Sequence, residues 1–167
     1  MKRKILVGVA VLLAVWALWQ LVSIFMRSPQ QQVLDAQQEF FDAVEQRDWD
    51  EVKEWMTADY GDELGQDRER AIANAREALK PFFTLEIEDE VTRSLAVKDL
   101  GEVNVKMHLK GTGAGYTQLV IDQVNNLKEP WIFHWHKKGR WPWDWKIVQI
   151  HNAQLMGMRL PQMMQNP

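Results

Sequence analysis

The sequence predicts an α+β fold: helices first, an antiparallel sheet after them, and an apolar run ahead of both. Three features lead there. Residues 33–80 carry apolar side chains at helical spacing, residues 82–152 carry them mostly in alternation, and residues 5–26 are apolar apart from Gln20 and Ser23. A 3.6-residue period marks an amphipathic helix and a period of two a half-buried strand. A run of ~20 apolar residues has the length of a helix that crosses a bilayer.

The stretch from Glu129 to Asn152 organises the sheet. Five of the nine Trp fall between Trp131 and Trp145. Trp131, Phe133 and Trp135 alternate with Ile132, His134 and His136, which is a strand pattern. Lys137-Lys138-Gly139-Arg140 reads as a turn in which Gly139 is free to take positive φ. Trp143, Trp145, Ile147 and Gln149 then alternate with Asp144, Lys146, Val148 and Ile150. An aromatic β-hairpin is therefore expected, with the domain packed around it.

Residues 1–27 read as a transmembrane signal-anchor. Trp16 and Trp19 lie toward the far end of the run, where indoles favour the interface. A cleaved signal peptide has a shorter apolar region and a small-x-small site, and none closes this run. Lys2-Arg3-Lys4 against the lone Arg27 predicts a cytoplasmic N-terminus. The body would then be periplasmic, outside a bacterial inner membrane.

Residues 28–32 read as a polar spacer, with Pro29 suited to a first helical turn. Val33, Ala36, Phe40, Phe41 and Val44 form one helical stripe. Asp48-Trp49-Asp50 interrupts it, and Asp48 or Asp50 can cap a short helix over Glu51–Met56 that buries Trp49, Val52, Trp55 and Met56. After a loop at Thr57–Asp62, Gln66 to Lys80 is helical again, and Pro81 ends it. Phe82 to Ile87 begins a strand, Glu90 to Val97 reads as a second, edge-like segment, and Glu102 to Lys110 alternates cleanly. Gly111–Gly115 is a turn; it lacks the Lys-Ser/Thr of a phosphate loop. Tyr116 to Val124 reads as another strand. The folded domain is thus 33–152, followed by a Met-rich tail over 153–167. Its Met156, Met158, Met163 and Met164 have thioethers of the kind that bind Cu(I), but a loosely packed tail is the expectation.

Composition excludes several chemistries. There is no Cys, so disulfides, thiolate metal sites and cysteine nucleophiles are absent. Four of the 20 cations precede residue 28 and no acid does; the remaining 16 face 23 acids, so residues 28–167 carry about −7. An acidic body argues against nucleic acid as partner, because phosphate contacts need clustered Lys and Arg.

Three stretches resemble the nuclear-transport-factor-2-like superfamily, which includes ketosteroid isomerase and scytalone dehydratase. They are Ala43–Val52 around Asp48-Trp49, Thr57-Ala58-Asp59-Tyr60, and Gly139-Arg140-Trp141 with Trp145-Lys146-Ile147. Trp141–Asp144 splits the last of these as an insertion. The resemblance implies a cone in which a strongly bent antiparallel sheet wraps about three helices. The anchor adds a resemblance of architecture alone to membrane-anchored scaffold subunits of type IV secretion.

Enzymes of that superfamily place Asp, His or Tyr inside the cone, where burial raises a carboxyl pKa and permits proton shuttling. The resemblance makes Asp59, Tyr60 and Asp122 the foremost catalytic candidates, with His108, Tyr116, His134 and His151 behind them. His134 and His136 share a strand face, but no spacing supplies a third zinc ligand, so neither metal nor cofactor is expected. Trp131, Phe133, Trp135, Trp141 and Trp143 either fill the cone or line a ligand or partner surface. Trp141 and Trp143, flanking Pro142, are the candidates for exposure. The expected function is a non-catalytic binding or scaffold module with a protein partner, itself or another. The alternative is a pocket for a small apolar ligand, or an isomerase- or dehydratase-like proton-transfer site.

Overall fold

The computed structural model describes residues 12, 13, 15, 16, 19 and 25–157. The expected anchor over Ile5–Met26 and most of the Met-rich tail therefore lie largely outside the described residues. Among the described residues no helix is long and apolar enough to cross a membrane.

Helix α1 spans Pro29–Gln46. The stretch 28–32, expected as a spacer, is its first turn. Ser28 is the N-cap of a capping box: its hydroxyl accepts from the Gln31 N–H at 3.2 Å, and the Gln31 amide oxygen accepts from the Ser28 N–H at 3.0 Å. Pro29 fits the first turn, where its missing N–H costs nothing. Polarity alone suggested a spacer because Gln32, although polar, is buried. At the other end Arg47 takes φ 57° and donates from its guanidinium to the Phe82 and Phe83 carbonyls, at 2.8 and 3.2 Å. This ties the helix end to the first strand.

Helix α2 spans Trp49–Trp55, capped by Asp48 on the Glu51 N–H at 3.1 Å. Helix α3 spans Arg68–Leu79, capped by Asp67 on the Arg70 N–H at 2.9 Å. Between them Thr57 to Gly61 follows the free edge of the last strand. The Thr57 N–H donates to the Ile147 carbonyl at 2.9 Å, and the Gly61 N–H to that of Val148 at 3.3 Å.

The sheet is antiparallel and four-stranded in sequential order: β1 Phe82–Val97, β2 Leu100–Gly113, β3 Trp131–Lys137 and β4 Trp145–His151. Glu90–Val97 is not a separate segment. β1 runs on through it, and an irregularity between Val91 and Arg93 shifts the alternation that had suggested a break. A second correction concerns Tyr116–Val124, expected as a strand. Thr117–Asn125 is helix α4. Its β-branched residues favour strands, but Val120, Ile121 and Val124 share one helical stripe, which packs on Leu79, Phe82 and Leu109. A short helix α5, Ala153–Gly157, begins the region read as a tail.

The core lies between α1, α2 and the sheet. Val33, Phe40, Phe41, Val52, Trp55, Val103, Phe133, Trp135, Trp145 and Ile147 are all buried in one cluster. Phe133 meets Phe41 edge-on with centroids 5.5 Å apart, and Trp135 meets Trp55 at 6.2 Å. Burying indoles requires acceptors for their N–H groups. Gln37 supplies one to Trp135 at 3.1 Å, and Gln32 one to Trp145 at 3.4 Å, while Gln32 also accepts from Lys137 Nζ at 2.8 Å. Gly101 is required by close approach: a Cβ there would lie 2.9 Å from Val33 Cγ2 and 3.3 Å from Trp135 Cβ. Gly139 does not take the positive φ expected of it. A Cβ there would meet the Asp144 carboxylate, which would have to shift.

Candidate functional site

A cleft of about 280 Å3 opens where the Tyr60–Gln66 loop and α3 meet the ends of β3 and β4. Tyr60, Glu63, Leu64, Ala71, Trp131 and His151 are among its walls. The sheet supplies Trp131 and His151 from adjoining strands, which pair Ile132 with His151. The loop supplies Glu63, which a turn built on Asp62 holds in place: the Asp62 carboxylate accepts from the N–H groups of Leu64 and Gln66, at 2.9 and 2.8 Å.

Glu63 Oε2 lies 2.5 Å from His151 Nδ1, a charge contact when the imidazole is protonated. The indole N–H of Trp131 is buried with no partner. An unmet buried donor is costly, so this wall favours a group that brings an acceptor. Tyr60 is buried, and desolvation, with Asp62 adding to it, pushes its phenol far above the ordinary range. It can donate a hydrogen bond at neutral pH but cannot serve as a base.

The other candidates disperse. Asp59 is exposed beside β4, and the Thr57 hydroxyl, its own backbone and Lys138 hold its carboxyl below the usual range. Such a group is a poor proton shuttle. Asp122 is exposed on α4 and accepts from Gln118 at 2.8 Å. His108 is exposed and faces Glu88 across the β1–β2 ladder. Tyr116 donates to the Glu77 carbonyl at 2.7 Å. Of Asp59, Tyr60 and Asp122, only Tyr60 lines the cleft. Among the described residues no group of three His, Cys, Asp or Glu could hold a metal ion.

The five aromatic candidates part company as well. Phe133 and Trp135 are fully buried and belong to the core, because they share the sheet face that α1 covers. Trp131 is half-buried on the cleft. Trp141 and Trp143 are 53% and 50% exposed, and their rings stack at 5.4 Å and 4°. Glu63 was not foreseen, since a loop carboxylate meeting a histidine from the last strand leaves no local spacing to read.

A second groove, about 320 Å3, separates the start of α1 from the tip of the β3–β4 hairpin. Glu39 on its wall has a raised pKa, from desolvation first and then from Asp35, Glu51 and Asp42, with Arg27 opposing. A carboxyl raised on folding weakens the fold once pH climbs above its unfolded value. Glu39→Gln is therefore expected to raise the urea midpoint slightly at neutral pH, a gain in unfolding free energy of less than ~1 kcal/mol after solvent screening. The gain should vanish as pH falls below the ordinary glutamate range, where the wild-type carboxyl is protonated in both states.

No protein-family model and no curated protein matches the chain. Solved structures do. A conserved protein from Planctomyces limnophilus superposes with a TM-score of 0.57 at 14% identity, covering 74% of this chain and 93% of that one. An NTF2-like protein from Cytophaga hutchinsonii gives 0.51 at 14% identity, over 74% and 96%. Bdellovibrio bacteriovorus Bd1075 gives 0.55 at 10% identity over 72% of this chain, which spans 38% of the length of Bd1075. With the element order and the sheet wrapped on its helices, these likenesses show that the chain has the nuclear-transport-factor-2-like fold.

Proposed function

We propose that this chain is a non-catalytic binding module, held by its apolar run on the outer side of a bacterial inner membrane. The observation that carries the reading is where the free volume lies. Trp135, Trp145, Phe133 and Phe41 fill the interior between helices and sheet. The cleft and the second groove, about 280 and 320 Å3, lie at the margin and stand at the small end of the ~300–1,000 Å3 of small-molecule sites. That size suits one anchoring side chain of a partner protein, with an acceptor aimed at Trp131. The apolar run and its basic N-terminal flank support the membrane part of the reading.

Site-specific photocrosslinking tests it. A benzoyl-phenylalanine at Leu64, exposed on the cleft rim, is expected to give a discrete protein adduct that Trp131→Ala removes. The same probe at exposed Phe83, away from the cleft, should give none. Identical products from both positions, or an adduct indifferent to Trp131→Ala, would sink the cleft assignment. The Glu63–His151 pair beside Tyr60 favours a second reading, a small-molecule pocket with acid–base character. Native mass spectrometry separates the two, because a bound small molecule would add a defined mass to the free chain.

A further inference from the structure

We propose that the tip of the β3–β4 hairpin is a membrane-interface contact, seating Trp141 and Trp143 among anionic phospholipid headgroups. The proposal rests on the membrane reading above and adds which face of the domain meets the lipid. Trp141 and Trp143 stack on each other, and Phe25 meets them edge-on with centroids 5.7 and 6.1 Å away. Phe25 is among the last residues of the apolar run, so the described end of that run lies against this tip. Half-exposed indoles with an apolar body and one N–H are the side chains that settle at a headgroup boundary.

The tip itself is built to present them. The Asp144 carboxylate accepts from the Trp141 N–H at 2.9 Å, and the Lys138 N–H donates to the Asp144 carbonyl at 2.8 Å. Pro142 between the indoles is buried, which holds both rings outward.

The surroundings have the matching chemistry. The Lys137 N–H donates to the Asp99 carbonyl at 2.8 Å, which brings the β1–β2 turn alongside the tip. That turn exposes Val97 and Leu100, at 57% and 65%. Lys98, Lys138 and Arg140 are exposed around the same end. Of the acids there, Asp144 holds the tip backbone and Asp35 pairs with Arg27, while Asp99, exposed in the turn itself, offsets one of those cations. Asp59 is close enough to Lys138 to be affected by it and offsets part of the charge. An apolar rim that carries exposed cations offers contacts to an anionic lipid surface, although the body as a whole is acidic. The cleft lies at the opposite end of β3, about 20 Å away for a strand of this length, and so would face away from the lipid.

The chain has no cysteine, so one can be placed freely. Arg140→Cys and Leu119→Cys, both exposed, would each carry a nitrobenzoxadiazole label in the full chain, one copy per nanodisc. Single occupancy prevents a second copy from providing the protection. With phosphatidylglycerol in the disc, aqueous dithionite is expected to bleach the residue-140 label about fivefold more slowly than the residue-119 label. Trp141→Ser with Trp143→Ser should equalise the two rates, and a disc of phosphatidylcholine alone should narrow the gap. Equal rates in a chain that co-elutes with the disc would overturn the tip contact and leave the tether standing. Failure to co-elute would overturn both. Protection independent of the anionic lipid would overturn the charge part of the assignment.

Discussion

Trp135→Ala is expected to cost about 3–5 kcal/mol, the range for removing a buried large aromatic. That is a large share of the ~5–15 kcal/mol that holds a domain together. The residue is 1% exposed and lies between α1, α2 and the sheet. Its ring contacts Trp55 edge-on, and its N–H donates to Gln37. Truncation leaves a cavity whose walls are strands and helices that cannot close on it, and it also strips Gln37 Oε1 of its donor. Urea unfolding of the full chain in mild detergent, followed by near-ultraviolet circular dichroism, would read the loss. Trp135→Phe separates the two contributions. It keeps most of the volume and should cost only about 1–3 kcal/mol, mainly from the orphaned Gln37. Adding Gln37→Leu to Trp135→Phe should then recover part of that cost. An unchanged midpoint for Trp135→Ala would show that the indole does not hold the helices to the sheet.

The same pair shows why parts of this fold were legible in the sequence and parts were not. Phe40, Phe41, Val103, Phe133 and Trp135 announce themselves by period, and all are core. A cap at Asp48 or Asp50 could be read from the chain, since capping is decided within a few residues, and Asp48 is the one that bonds the Glu51 N–H. Gln32 and Gln37 could not. Polar residues on a helix are read as solvent-facing, and what buries these two is a pair of indoles from β3 and β4. The cleft was hidden for the same reason. Tyr60 was named through the family resemblance and Trp131 through the aromatic alternation, whereas Glu63, and the approach of its loop to the strands that makes the three one site, depends on residues far apart in the chain. The tip was the exception: Pro142 between Trp141 and Trp143 leaves a short hairpin end no room to bury both rings. Local chemistry thus predicted elements, caps and the exposed aromatics, while partners across the sheet were set by tertiary approach.

Asn125→Leu is the second large effect, and it tests the element that alternation misassigned. β3 pairs with β2 only from Leu100 to Val105, so β2 beyond that point has lost its neighbour on one side. Helix α4 covers the gap. Asn125 there imitates a strand residue: its Oδ1 accepts from the Leu109 N–H at 2.7 Å, and its Nδ2 donates to the Leu109 carbonyl at 3.0 Å. Leu109 is 7% exposed, so water reaches these groups poorly. Leucine has similar bulk and better helix propensity, so any loss belongs to the hydrogen bonds. Each of the two stranded backbone groups costs about 1–3 kcal/mol, which puts the variant roughly 2–6 kcal/mol below wild type. Amide exchange adds a local readout: the Leu109 N–H should lose protection, while Val103, buried in the β3-paired part of β2, keeps it as long as the domain stays folded. Were residues 117–125 a strand paired with β2, their own backbone would satisfy Leu109 and the side chain at 125 would be dispensable. A near-neutral Asn125→Leu would therefore return that stretch to the sheet, whereas a selective loss of Leu109 protection keeps it a helix that caps the strand edge.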